Sequence, residues 1–165
     1  MKNIAHGLFQ TGEMYSDAAV LLNTNVRMTP GIVVGALALE LYFKALYILD
    51  KGQEFKIDGR HSHDFLAIFD QLQSKTRVQL IAEFDAEVKR ADLSFIKTVK
   101  NEVNVVVSLD LRQNVDQWHD VFVKVRYLHE FNKAAKGTKR YWAFFSEMER
   151  AIKKVCFEKE PEWMI

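Results

Sequence analysis

The stretch from Thr29 to Gly52 constrains the fold more than any other part of the chain. Thr29-Pro30 is a helix-start signal, a capping hydroxyl followed by a proline suited to the first helical position, and Gly52 is placed to be the C-terminal cap. Between them Ile32, Leu37, Leu39, Leu41, Phe43, Leu46 and Ile48 lie nearly all round a helix running to Asp50 or Lys51. A helix that is apolar on every side belongs at the centre of a structure. Its one polar stripe is Glu40, Lys44, Tyr47 and Lys51, at steps of four, three and four. The apolar run Ile32 to Leu39 stops at Glu40, far short of the ~20 residues a bilayer span requires, so no membrane is expected.

The rest of the chain supplies helices to pack around that one. Only two prolines and seven glycines interrupt 165 residues, which favours long helices over many short strands. Ile4, Leu8, Tyr15, Ala18, Ala19 and Leu22 fit an opening helix over 3–23. A loop with Asp58-Gly59 follows the central helix. A short helix from Asp64 to about Gln73 then turns Phe65, Leu66, Phe69 and Leu72 inward, and an amphipathic one covers Thr76 to about Leu93. Val103 to Val107 is β-branched and suits a strand, but no second strand offers itself, so the region is read as helical. Asp110 followed by Gln113 resembles a capping box for a long helix reaching Phe131. A last helix is expected over 138–157, ending before Pro161. The expectation is one all-α domain over 1–165, an up-and-down bundle of five to seven helices around a four- to five-helix core.

Composition narrows the class without naming a task. Apolar residues make up 48% and charged ones 27%, too apolar for disorder. The single Cys156 cannot form an internal disulfide, and the first residues show no secretory core, so a cytoplasmic setting is expected. The net charge of +1 gives no whole-molecule attraction to nucleic acid or lipid. Its distribution is uneven: 133–154 carries seven bases against two acids, a net +5, leaving −4 for the remainder. With Tyr141, Trp142, Phe144 and Phe145 nearby, this segment reads either as a phosphate-binding and base-stacking patch or as a solvated helix face backed by core aromatics.

Several chemistries are set aside. The chain holds no Gly-rich phosphate loop, no Gly-x-Ser-x-Gly elbow and no paired cysteines, and no cofactor is implied. His61-Ser62-His63-Asp64 offers metal ligands at close spacing, but His at i and i+2 point to different sides of a helix. A helix start is the better reading, with Ser62 or Asp64 capping and His63 bonding to backbone. No metal site is expected.

The helix from Asp110 is the informative one for chemistry. Val115, Trp118, Val121, Phe122, Val125 and Leu128 form one broad core face. Arg112, His119 and Arg126, seven apart, stack along its edge, and Glu130 joins the same line. Histidine titrates near neutrality and arginine grips phosphate with two parallel hydrogen bonds. The alternative is a structural one, with Arg126 paired to a neighbouring carboxylate and His119 at the rim.

Three blocks in this order are similar to those of the HEPN family. Ala38-Leu39-Glu40-Leu41-Tyr42-Phe43-Lys44-Ala45-Leu46 resembles its Glu-x-x-x-Lys core helix. His63-Asp64-Phe65-Leu66 resembles the Gly-His-Asp-Leu that starts the next helix. Phe122-x-x-Val125-Arg126-Tyr127-Leu128-His129-Glu130 resembles Phe-x-x-Trp-Arg-Tyr-x-x-Glu, with Val125 where Trp is usual. The resemblance implies a helical bundle that often pairs as a homodimer through the helices carrying these blocks. It implies one of two functions: a metal-independent endoribonuclease using an Arg followed after four to six residues by a His, of a stress, defence or toxin-antitoxin system, or a non-catalytic module for nucleotide, RNA or a cognate protein. Arg112 and His119, with six residues between, satisfy the catalytic spacing; Arg126 matches the block, but His129 follows it too early. In the catalytic reading His119 takes a proton from a ribose 2′-hydroxyl and Arg112 or Arg126 stabilises charge on the phosphate. In the binding reading Arg126, Tyr127, Glu130, Glu40, Lys44 and His63 hold the ligand. A third class is an assembly subunit docking through apolar faces that include Trp163-Met164-Ile165.

Overall fold

A computed structural model of the chain describes residues 1–24, 28–94, 107–119, 121 and 143–164. They form an all-α bundle of α1 (Lys2–Thr24), α2 (Met28–Lys51), α3 (Phe65–Gln71), α4 (Ser74–Arg90), α5 (Leu111–His119) and α6 (Phe145–Lys159), closed by a 3₁₀ turn, Pro161–Met164. The one sheet among the described residues is a two-stranded hairpin, β1 (Lys56–Ile57) and β2 (Arg60–His61).

The central position expected for α2 is met. Leu39, Tyr42, Phe43 and Leu46 are fully buried, and around them pack Phe65 and Ile68 of α3, Leu80 and Phe84 of α4, Leu111 and Val115 of α5, and Met148 and Ile152 of α6. This explains why Pro30–Lys51 is, by length and composition, apolar enough to cross a membrane: its hydropathy is that of a core helix. α1 lies antiparallel along α2, since Gly31 approaches Ala19 and Asn23 while Gly12 faces Tyr42. A Cβ at Gly12 would stand 2.9 Å from the Tyr42 ring, so only glycine lets the two helices approach this closely. The buried Tyr42 hydroxyl lies 3.1 Å from both Glu13 of α1 and Glu149 of α6. Lys153 bonds both carboxylates as well, so one polar knot ties three helices together.

Boundaries differ from the expected ones for local reasons. α2 begins at Met28 rather than at Pro30, which still falls in the first turn, where a missing N–H costs no hydrogen bond. Gly52 does cap α2, with φ +72° and its N–H on the Ile48 carbonyl at 2.8 Å. The Asp58-Gly59 loop is a two-residue hairpin turn, both residues having positive φ and pairing Ile57 with Arg60. α6 starts at Phe145, not near Thr138: Phe144 takes a left-handed backbone (φ +60°) so that its buried ring meets Phe84 edge-on, and a helix cannot pass through that conformation. Asp110 caps α5 as expected, its carboxylate accepting from Gln113 N at 2.8 Å. The expected helical reading of 103–106 and the stretch of the α5 helix from Phe122 to Phe131 lie outside the described residues; Val107 is buried and non-helical.

The start of α4 is held from a distance. Asp50 accepts from Gln73 N at 2.7 Å, from the Thr76 hydroxyl and from Lys159 Nζ at 3.1 Å. Burial pushes the Asp50 carboxyl up, but the bonds from Gln73, Thr76 and Lys159 outweigh it and hold it below the usual carboxylate range.

Candidate functional site

Glu40 and Lys44 stand one turn apart on α2, and Lys44 Nζ donates to Glu40 Oε1 at 2.5 Å. At the start of α3, Asp64 Oδ1 accepts from Ala67 N at 2.9 Å and Ser62 Oγ accepts from Asp64 N at 3.1 Å. That double turn fixes the backbone on both sides of His63. The His63 ring, expected to bond backbone beside a cap, reaches Glu40 with Nδ1, which lies 2.9 and 3.1 Å from the two carboxylate oxygens. A carboxylate only accepts, so Nδ1 carries the proton. The side chains of Glu40, Lys44 and His63 are 4%, 18% and 78% exposed, so a buried acceptor holds one shielded cation and one exposed imidazole.

A cleft of about 160 Å³ opens beside this cluster. Ile4 and Leu8 of α1, Lys44 and Ile48 of α2, and Glu54, Phe55 and His61 at the hairpin line it. Whole-ligand pockets run roughly 300–1,000 Å³, so this cleft has room for a fragment, a ring or a phosphate group. Lys44 is common to the cluster and the cleft. The rest of the wall is apolar apart from Glu54 and His61, and on the adjoining hairpin Arg60 stands exposed, as does Lys56, which pairs with Glu54 at 3.7 Å.

Arg112 and His119 are arranged differently. Arg112 makes a two-pronged pair with Asp70 of α3, Nε to Oδ1 at 2.9 Å and a terminal nitrogen to Oδ2 at 2.7 Å. The Arg112 hydrogen bond holds the Asp70 carboxyl below its usual range, against slight burial, and the same bond raises the guanidinium. Both groups face solvent. His119, two turns on and about 10 Å along the axis, is 24% exposed and gives Nδ1–H to the Asp116 carbonyl at 2.8 Å. Its ring meets Phe65 edge-on at 6.4 Å. Because α3 and α5 run in opposite directions, His119 lies at the His63 end of α3 and Arg112 at the far end. The structure therefore brings Glu40, Lys44 and His63 together and keeps Arg112 apart from His119.

Arg126, Tyr127 and Glu130 lie outside the described residues, as do Tyr141 and Trp142 and the four bases from Lys133 to Arg140. The described part of the basic segment is neutralised. Arg150 bonds Glu87 at 2.6 Å and Glu147 at 3.2 Å, and Lys154 bonds Glu83 at 2.6 Å. Phe144 is buried and Phe145 packs on Trp118 with ring centroids 5.5 Å apart, so these two rings belong to the core. Trp163 is likewise spent within the chain, stacked on His6 at 5.1 Å and packed on Phe9.

Residues missing from the sequence reading are Phe55 and Glu54 of the cleft, and Asp70; His61 entered it only as a metal ligand that was set aside. The Asp-Gly turn was a signal for the hairpin that carries His61; nothing local marked Asp70 as the partner of a residue 42 positions away. Among the described residues no group of three or more His, Cys, Asp or Glu is placed to hold a metal ion. No family model matches the chain, and no curated protein or solved structure is significantly similar to it.

Proposed function

We propose that this chain is a HEPN-like helical module that binds RNA or a nucleotide at the junction of α2 with α3. The observation that carries this reading is the convergence of Lys44 and His63 on the buried Glu40 carboxylate, 2.5 and 2.9 Å away, beside a ring-sized cleft. These residues come from two of the three HEPN-like blocks, Glu40 and His63 being 23 positions apart in the chain. Lys44 and the exposed Arg60 supply charge for a phosphate, with Lys56 beside them paired to Glu54 at 3.7 Å. The apolar walls around Phe55 suit a base. Glu40 acts by positioning: it orients the ammonium and the imidazole, and one hydrogen bond to Glu40 uses only one of the three Lys44 donors.

Binding without cleavage is the favoured form, because the Arg112 fork is filled by Asp70 and stands two turns from His119. One observation favours cleavage as a second reading. With Nδ1–H on the Asp116 carbonyl, neutral His119 keeps Nε2 as an acceptor, the form a general base requires. A phosphate displacing the solvent-exposed Asp70 would free Arg112 for it.

Incubating the purified chain with a single-stranded RNA pool in the presence of a chelator separates the two. The binding reading expects saturable, salt-sensitive retention of intact RNA or of a nucleotide. Cleavage that is lost in His119→Ala would replace it with the nuclease reading, and absence of both would end both.

A further inference from the structure

One residue of the cleft does not suit the anion expected there. Lysine and arginine attract a phosphate, whereas a carboxylate in the same wall repels it unless it meets donors elsewhere on the ligand. Glu54 is such a carboxylate, lining the cleft beside Lys44, Phe55 and His61. Its place in the chain holds it there. Gly52 ends α2 with a left-handed backbone, and the hairpin turns the chain back at Asp58-Gly59. Glu54 lies in the link between these two turns, next to Phe55, whose buried ring packs edge-on against Tyr47 at 5.3 Å. The buried ring pins the link, so the Glu54 side chain, 32% exposed, stays at the cleft.

Among the described residues no donor lies within hydrogen-bond distance of the Glu54 carboxylate. Lys56 stands 3.7 Å away and is 45% exposed, and an ion pair of that separation and exposure is worth little and exchanges readily. Both Glu54 oxygens therefore keep their acceptor capacity, whereas the Glu40 oxygens are taken by Lys44 and His63. Ile4, Leu8 and Ile48 make the rest of the wall apolar, and about 160 Å³ gives room for a ring but not for a whole nucleotide. An apolar slot with an acceptor-only group fixes what the edge of a bound ring must offer: neighbouring N–H donors.

The nucleobases differ in this respect. Guanine alone carries two adjacent donors, N1–H and the N2 amino group, spaced to give parallel bonds to both oxygens of one carboxylate. Adenine and cytosine offer one amino group beside a ring nitrogen that accepts, and uracil one N–H between two carbonyls. With any of these a carboxylate gains one bond and sets its other oxygen against a lone pair. We infer that the cleft selects guanine among the bases and that Glu54 is the residue that reads it. Guanine selection rests on the nucleotide reading above and deepens it: Lys44 and Arg60 serve the phosphate, Glu54 the base. His61, which carries an N–H in either tautomer, is a donor for the carbonyl beside N1.

Calorimetric titration of the full chain with the 5′-monophosphates of guanosine, inosine, adenosine, cytidine and uridine reads the selection. GMP should bind about tenfold or more tightly than AMP, CMP or UMP, the range a two-bond base contact discriminates. Inosine monophosphate, which keeps N1–H but lacks the amino group, should fall between. Glu54→Gln keeps the size of the side chain and replaces one acceptor oxygen with a donor. The carboxylate accepts no hydrogen bond in the fold, so helical circular dichroism should be unchanged. In that variant GMP should fall to the AMP level while AMP binds as before. A wild-type chain that binds GMP and AMP equally overturns guanine selection and leaves the nucleotide reading standing. A Glu54→Gln chain that keeps the preference, or that weakens all five ligands alike, overturns the role of Glu54. A wild-type chain that binds none of the five overturns guanine selection and the nucleotide reading together.

Discussion

Two groups of charged residues flank α3, and they differ in where the carboxylate sits. At one end Glu40 is buried on the core helix and receives Lys44 and His63. Along the outer side Asp70 stands in solvent and receives Arg112. The hydrogen-bond geometry of the two is equally good. What separates them is desolvation: a buried acceptor left without donors is costly, whereas an exposed one is rehydrated. The Glu40 cluster is therefore held rigidly whatever ligand comes, and the Arg112 pair is exchangeable.

Removing the acceptors should expose this contrast most strongly. Glu40→Ala leaves Lys44 shielded with no anion and opens a gap in α2, and is expected to cost about 3 kcal/mol, a fall in Tm of roughly 6–12 °C. Asp70→Ala should leave Tm within the scatter of replicates. Equal losses in the two variants, read by thermal circular dichroism, would erase the distinction. His63→Ala should fall between them, at about 1 kcal/mol, because its ring is mostly exposed while the bond it gives is to a buried carboxylate.

Acid gives a smaller and more selective test. The folded-state pKa of Asp70 is depressed by Arg112 from its ordinary 3.8. Its stabilisation is thus full above the unfolded value and is lost as pH falls through the lower folded one. Asp50 is depressed in the same direction by Gln73, Thr76 and Lys159. Asp70→Asn should remove only a small part of the loss of urea midpoint between neutral pH and pH 3, and Asp50→Asn a larger part. The reverse order would mean that the exposed pair is the stronger clamp.

How much of this was legible before any coordinates follows from the range of each signal. The helices were, because apolar periodicity is a local pattern: α2 came out central from its all-round apolarity, and Gly52 and Asp110 marked real caps. The hairpin was missed although Asp58-Gly59 spelled it, since two-residue strands carry no alternation of their own. The start of α6 was misplaced because the left-handed Phe144 is imposed by its packing on Phe84, 60 positions earlier. The site was half legible. Block similarity pointed to Glu40, Lys44 and His63 separately, but that His63 reaches Glu40 depends on how α3 docks on α2. The Arg112–Asp70 pair has no sequence signature, which is why Arg112 looked available for phosphate.

Under the proposed function the Glu40-anchored cluster, and not the Arg112 line, receives the ligand. Parallel titrations of fluorescent single-stranded RNA and of a labelled nucleotide into Lys44→Gln and Arg112→Gln test it most directly. Lys44→Gln keeps a donor for Glu40 while removing the charge, so the fold is expected to persist by circular dichroism. The prediction is at least tenfold weaker binding in Lys44→Gln, a loss of roughly 1.4 kcal/mol, with Arg112→Gln unchanged. Wild-type affinity in Lys44→Gln together with lost binding in Arg112→Gln would contradict it.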